Sequence, residues 1–284
     1  MISVSKVCNL EDFSDAALRE VIRDVFEHEI ARFDAGFPEG KEYRKYWEIG
    51  MAVLAFERAG VIRPEAELLG VGAGNEATCF YLTRRVKRVF ATDLYLAEGW
   101  EESANASMLT NPRKHWPFRW NPRRLVVQHM NALALQYEDA SFDGVFSSSS
   151  IEHFGSDAEI GRALDEICRV LKPGGVAAIS SEFALSGAGG GWPGVRLFGR
   201  DDVERLFVGE RGWRLCEPFD FSVSSRTCET VQDFVRAAED QDRQVEQLGA
   251  HLTHHIEYEV YPHIALELDG QVWTSFQIAL RKEG

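Results

Sequence analysis

Apolar side chains recur at helical spacing through the first sixty or so residues, and the rhythm then changes. Ala17, Leu18, Val21, Ile22, Val25 and Phe26 fall three and four apart, which puts them on one helix face, and Trp47 to Leu54 form a second amphipathic stretch. The spacing predicts helices through residues 11–60, closed by Pro64. Short apolar runs then alternate with helix-like segments. The predicted strands are 67–72, 88–93 (RVFATD), 125–130 (LVVQHM), 143–148 (DGVFSS) and 175–183 (GVAAISSEF). Ile160, Ala163, Leu164, Ile167, Val170 and Leu171 line one face of a helix over 157–171, which Pro173-Gly174-Gly175 stops.

Strands alternating with helices predict an α/β fold, with a mostly parallel sheet covered on both faces. Ligands of such sheets bind at the carboxyl ends of the strands. The tail has a different pattern. Segments 263–269 (HIALELD) and 271–281 (QVWTSFQIALR) flank Gly270 and read as two strands joined by a tight Asp-Gly turn. The sequence has no internal repeat or low-complexity linker, so we expect a single domain over 1–284. Within it we expect a helical N-terminal cap (1–64), a ligand-binding core (65–183), insertions at 98–124 and 184–262, and a closing hairpin (263–284).

A hydrophobic content of 45% and a charged content of 27% are ordinary for a globular protein. The net charge of −14 argues against nucleic acid as a partner, because phosphate neutralisation needs a basic face. The local basic group Arg113, Lys114, Arg119, Arg123 and Arg124 does not reverse that balance. Cys8, Cys79, Cys168, Cys216 and Cys228 are scattered without a C-x-x-C pair. That excludes a disulfide framework or cysteine metal cluster and points to a reducing cytoplasm. Glu11 and Asp12 follow a short apolar start that does not read as a secretion signal, and no apolar run approaches a membrane span. The expectation is a cytoplasmic protein with no membrane partner.

The chemistry begins at residues 67–77, ELLGVGAGNEA. A strand runs into Gly70-x-Gly72-x-Gly74 and then a helix, the layout of a loop whose backbone approaches a ligand closely. Read as Gly72-x-Gly74-x-x-Ala77, the same residues fit a dinucleotide fingerprint. Asp93 ends the second strand, 19 positions after Gly74, where an acid can take both ribose hydroxyls; a solvent-facing turn aspartate is the plainer alternative.

Further motifs follow in order: Asn131-Ala132, then Phe142-Asp143-Gly144-Val145-Phe146-Ser147-Ser148, then Ile151-Glu152-His153, then Arg169-Val170-Leu171-Lys172-Pro173-Gly174-Gly175. Over roughly residues 66–183 this series resembles the class I (Rossmann-like) S-adenosylmethionine-dependent methyltransferases. The resemblance implies a seven-stranded, mostly parallel sheet with an antiparallel C-terminal strand, and S-adenosylmethionine as cofactor. It implies that the loop of Gly70, Gly72 and Gly74 packs against the methionine part and that Asp93 holds the ribose. Asn131 and Ala132 would flank the adenine, and Ser148 and Ser149 would lie beneath the sulfonium. Two positions depart from the family. Gly70 stands where an acid is usual, and Glu76 replaces the third loop glycine. We assign the cofactor's ammonium to Glu76; a helix N-terminal glutamate favoured by the dipole is the alternative.

Glu152 and His153 follow the fourth strand, where the methyl would face its acceptor, and are the candidate catalytic residues. Histidine suits a general base for a hydroxyl; orienting the loop is the structural alternative. The insertion carries Trp100, His115, Trp116, Trp120 and several arginines, which suit a carbohydrate or anionic ligand or else pack as a surface insertion. Lys45-Tyr46-Trp47-Glu48 is read either as a lid over the cofactor or as helix packing. His251, His254, His255 and His263, with Glu257 and Glu259, invite a metal reading but match no closed site, so a divalent metal is left open. The reading that results is methylation of a small-molecule acceptor, with a sugar or polar-metabolite hydroxyl preferred. A nicotinamide-dependent oxidoreductase and a non-catalytic S-adenosylmethionine-binding protein are the alternatives.

Overall fold

A computed structural model describes residues 1–99, 103–248, 258 and 260–284. Trp100, His251, His254, His255, Glu257 and Glu259 lie outside the described residues. The main strands are β1 (Lys6–Val7), β2 (Glu67–Val71), β3 (Arg88–Asp93), β4 (Leu125–His129), β5 (Phe142–Ser148) and β6 (Leu171–Ala184). They are followed by β7 (Gly190–Trp192), β8 (Val195–Leu197), β9 (Trp213–Leu215), β10 (Gln232–Asp233), β11 (Leu266–Leu268) and β12 (Gln271–Lys282). The large sheet runs β10-β11-β12-β6-β5-β2-β3-β4, with β1 and β9 also pairing with β12. Its central neighbours β6, β5, β2, β3 and β4 are parallel, and β12 is antiparallel to β6 from Trp273↔Ala184 to Arg281↔Val176. The Rossmann-like arrangement expected from the resemblance is therefore present, in a sheet of ten strands among the described residues rather than seven, because β1, β9, β10 and β11 all join at its antiparallel β12 end. Strand order reverses between β2 and β5, which opens a crevice at their carboxyl ends.

Side chains on successive strand positions point to opposite faces, and the two faces bury separate cores. Val176 and Ala178 of β6 join one core with the N-terminal helices, while Ala177 and Ile179 join the other with the helix before β6. The first face is covered by α1 (Ala16–Val25), α2 (Glu27–Arg32), α3 (Arg44–Arg58) and α4 (Ala77–Leu82), the second by α5 (Asp157–Val170). Asp15 caps α1 by accepting from Ala17 N and Leu18 N, and Ser156 with Glu159 forms a capping box on α5. Caps of this kind contribute about 1 kcal/mol each. α3 lies between α1 and the strands β12, β6 and β5, and is buried almost all round from Arg44 to Phe56.

The N-terminal helices are more broken than the apolar period suggests. Residues 33–43 leave the helix because Gly36, Pro38 and Gly40 interrupt it. Ahead of them, Lys6 and Val7 pair with Gln277 and Phe276 as an edge strand that two residues of pattern do not reveal. α5 ends at Val170 rather than 171, and the Pro-Gly-Gly turn sits inside the opening of β6, where the β5–β6 register shifts between Phe142 and Gly144. The closing hairpin is as expected, with Asp269 and Gly270 both at positive φ, 51° and 76°.

Candidate active site

The loop after β2 takes its shape from two glycines. Gly72 and Gly74 adopt φ of 61° and 46°, and a Cβ on Gly74 would stand 2.3 Å from the Ser103 carbonyl oxygen. No other residue fits that left-handed turn at such an approach. The loop is held from three sides. Gly74 N donates to Asp93 Oδ2 (2.8 Å), Tyr95 Oη donates to Gly74 O (2.7 Å), and Ser150 Oγ donates to Gly72 O (2.5 Å). The ends of β2, β3 and β5 are thus tied to one another around an open space.

That space is a cavity of about 430 Å³, lined by Gly72, Gly74, Glu76, Asp93, Asn131, Ala132, Ser148, Ser149 and His153 among others. Nine of the residues singled out in the sequence converge on it. Gly70 does not. It is buried within β2, where a Cβ would stand 2.6 Å from the Phe146 ring, so its small size serves strand packing. Met130, Ser150 and Phe154 also line the cavity. The sequence pattern did not mark them, because an apolar strand end and a run of four serines look the same whichever side chain faces inward. Asn131 Oδ1 accepts from Leu133 N (2.9 Å) and so stabilises its own turn.

A second cavity of about 670 Å³ shares Asn75, Glu76, Ser103, Ser148 and Ser149 with the first, so the two meet at the end of β5. Its further walls come from the N-terminal helices (Phe26, His28, Glu29, Lys45, Tyr46, Glu48), from His115 and Trp116 of the insertion, and from Gln241 and Tyr258. Lys45, Tyr46 and Glu48 therefore face the second cavity, whereas Trp47 is fully buried and donates to Asp12 Oδ2 (2.9 Å). Trp120 packs edge-on against Phe80 with Arg113 over its ring, and Arg124 donates to Val86 O (2.9 Å); neither lines either of these two cavities. Among the described residues of the insertion, the side chains that face the second cavity are Ser103, His115 and Trp116, and none is an arginine.

Glu152 and His153 stand apart from that second cavity. Glu152 is buried and accepts from Ser181 Oγ (2.6 Å); burial, with Glu182 nearby, pushes its carboxyl up to about 8. His153 lines the first cavity, with Nδ1 2.9 Å from the Gly194 carbonyl oxygen, to which it donates, and Nε2 4.0 Å from Glu152 Oε1. His263 is buried and stacks on Tyr258 at 3.9 Å; burial, with Arg44 and Lys45, drives its imidazole down to about 3. Among the described residues no group of His, Cys, Asp and Glu is arranged to hold a metal.

Between the strand ends and α3 lies a buried ionic cluster. Arg44 Nη1 bonds Glu182 Oε1 (2.6 Å) and Oε2 (2.9 Å) and reaches Glu48 at 3.3 Å, while Lys45 Nζ sits 3.1 Å from both Glu48 oxygens. Burial alone would raise Glu182, but Arg44 and Lys45 outweigh it and hold the carboxyl below its ordinary range. Glu76 has no such partner. Burial, then Glu48 and Asp93, hold it well above the ordinary carboxyl range against Lys45 and the Ser148 hydroxyl, and its Oε2 is buried without a hydrogen bond within normal geometry. Burial likewise raises Asp93, against N–H bonds from Gly74 and Leu94. A carboxylate short of a cation and a second at the strand end fit a ligand that brings an ammonium group and a ribose.

The architecture is that of a nucleotide-cofactor-binding α/β fold with its crevice at the strand reversal. Residues 69–179 match the family described as the methyltransferase domain. The protein is a class I S-adenosylmethionine-dependent methyltransferase, and S-adenosylmethionine is its cofactor. Solved structures with a similar fold include a candidate sarcosine dimethylglycine methyltransferase from Galdieria sulphuraria, at 17% identity over 83% of this chain and 85% of that one, TM-score 0.51. The [4+2]-cyclase SpnF is similar at 20% identity, over 84% of this chain and 83% of that one, TM-score 0.50. Geranyl diphosphate methyltransferase, solved with its S-adenosylmethionine, is similar at 15% identity over 82% and 85%, TM-score 0.50. At these identities the likeness concerns the fold. Among the described residues no helix is long and apolar enough to cross a membrane.

Proposed function

We propose that the enzyme methylates a hydroxyl of a sugar or similar polar metabolite held in the second cavity. When bound, S-adenosylmethionine supplies an electrophilic methyl group. On this reading Gly72 and Gly74 pack against its methionine part, Glu76 takes the ammonium and Asp93 the ribose. Met130 and Ala132 flank the base, and Ser148 and Ser149 lie where the two cavities meet. His153 faces only the first cavity and is read as part of the cofactor wall.

The observation that carries the choice of acceptor is charge compensation. Glu29 lies 3.5 Å from Arg32, and Lys45 and Arg44 are balanced by Glu48 and Glu182. Glu76, the remaining carboxylate of the wall, adjoins the cofactor cavity. An acceptor entering this space meets phenols, imidazole, indole and hydroxyls rather than an unpaired charge. Desolvating a phosphate or a second ammonium there would cost several kcal/mol without repayment, whereas a neutral polyol finds hydrogen-bond partners and ring faces.

The test is transfer of the labelled methyl of S-adenosylmethionine to panels of methyl hexosides, amino acids, primary amines and phosphorylated alcohols. Alkali-stable label on the hexosides is expected. Label confined to the amines or phosphorylated acceptors sinks the reading.

A further inference from the structure

Ser149 stands at the junction of the two cavities and is held in a strained conformation. It follows the last residue of β5, lines both spaces, and is half-buried. Its φ is 45°, in the left-handed region that a serine rarely occupies, although its backbone N–H is anchored to Ser180 O at 2.9 Å. Non-glycine residues in this region persist where the surroundings impose them, and such strain gathers at functional positions. The consequence here is that the side chain swings toward α3: Oγ donates to Glu48 Oε2 at 2.8 Å, with Glu182 Oε1 at 3.4 Å. Glu48 in turn is fully buried and receives Arg44, Lys45 and Ser275.

We infer that Ser149 is the catalytic hydroxyl that takes the acceptor's proton and relays it to Glu48, an inference that rests on the hydroxyl acceptor proposed above. With its own hydrogen committed to Glu48, Ser149 Oγ offers a lone pair to the space where the methyl would cross. In the step, the acceptor's O–H bond breaks and its proton passes to Ser149 Oγ. The proton already on Oγ passes to Glu48 Oε2. The acceptor oxygen's electron pair forms the new C–O bond as the C–S pair returns to sulfur, leaving methyl ether, S-adenosylhomocysteine and a protonated Glu48. The acceptor oxygen becomes strongly acidic once the C–O bond has begun to form, so the proton need reach Glu48 only as the methyl crosses. Arg44, Lys45 and Ser275 are positioning residues that hold Glu48 against Ser149.

The strained backbone makes the proposal testable without a folding ambiguity. Ser149→Gly removes the hydroxyl while relieving the left-handed φ, so its melting temperature should equal or exceed that of the wild type. Its affinity for S-adenosylhomocysteine by titration calorimetry should be unchanged within about twofold. Its kcat on the methyl hexoside the wild type accepts should fall by about 100-fold or more, the usual loss when a proton acceptor is removed. Ser149→Ala should show the same kcat loss without the gain in stability. Wild-type kcat in Ser149→Gly overturns the relay, as does a fall in S-adenosylhomocysteine affinity that matches the fall in rate, since Ser149 would then be cofactor wall alone. A wild-type enzyme that methylates no hexoside but does methylate amines overturns the acceptor reading and the relay with it. An active wild type beside an equally active Ser149→Gly overturns only the relay.

Discussion

The Asp93 carboxylate accepts a 2.8 Å hydrogen bond from the Gly74 amide, 19 residues earlier in the chain. One oxygen of the acid assigned to the ribose therefore also holds the glycine loop in its left-handed turn, and Leu94 N takes the other at 2.6 Å. On the proposed reading, ribose binding and loop shape are coupled through a single side chain.

Asp93 substitutions should separate these two tasks. Asp93→Asn keeps an oxygen for Gly74 but loses charge-assisted acceptance, so S-adenosylhomocysteine should bind about 10-fold more weakly with little change in melting temperature. Asp93→Ala leaves the Gly74 amide unpaired and should lose both affinity and stability, the latter by about 1–3 kcal/mol. Calorimetric titration with thermal denaturation of each variant checks this; equal affinities for the two variants would refute the coupling.

Glu76 should behave as an acid waiting for a cation. Its carboxyl is raised by burial and nearby carboxylates. In the ligand-free protein it therefore favours the folded state below the unfolded carboxyl range, and that contribution is lost as pH rises through the elevated range. Binding an ammonium reverses the preference, so S-adenosylhomocysteine should release a proton on binding and bind more tightly as pH rises. Calorimetry in buffers of different ionisation enthalpy reads the proton directly. Glu76→Gln should weaken S-adenosylhomocysteine by about 10–100-fold and leave 5′-methylthioadenosine, which lacks the ammonium, unaffected. Equal losses for both ligands would remove Glu76 from the ammonium site.

Gly74 is a steric test of the loop. A methyl group there would meet the Ser103 carbonyl at 2.3 Å while the backbone sits at φ 46°. Gly74→Ala should cost about 1–3 kcal/mol in strain and abolish measurable S-adenosylhomocysteine binding. A variant that melts and binds like the wild type would show that the loop adjusts freely.

The Arg44–Glu182 pair should be far more costly to break than to replace. Both side chains are buried, and the contact is two-pronged at 2.6 and 2.9 Å. Arg44→Met alone leaves Glu182 only Lys45, at 3.7 Å, as an ion-pair partner among the described residues and should destabilise by about 3–5 kcal/mol. The double change Arg44→Met with Glu182→Met should recover much of that loss. Urea denaturation of the singles and the double completes the cycle, and strict additivity would contradict the pairing.

Glu152 sets the alkaline edge of stability. Its carboxyl is pushed up to about 8, chiefly by burial. Its contribution is therefore whole below the unfolded carboxyl range and lost as pH rises through about 8. The wild-type melting temperature should fall between about pH 4.5 and 8, and Glu152→Gln should flatten that decline. An unchanged slope would argue that Glu152 ionises without cost.

The α/β alternation, the five parallel strands and the closing hairpin were legible in the chain, because strand and helix periods are local and each run needs only its neighbours to declare itself. So were the loop, Asp93, Ala132 and Ser148, since residues at strand ends are brought together by any doubly wound sheet. Gly70 shows the limit: a glycine one step inside the strand looks like its loop neighbours but answers to the Phe146 ring across the sheet. The second cavity was legible only in fragments. His28 and Glu29 come from a short helix, Trp116 from an insertion and Tyr258 from the far end of the chain. Nothing in their spacing announces that they share a wall. The role of Ser149 depends on a backbone angle and on Glu48, 101 positions away. The sequence alone determined the cofactor class, because that site is built from motifs in fixed order along one sheet edge. Tertiary structure decided where the second cavity lies and which groups face it, because those contacts join segments whose separation along the chain carries no periodic signal.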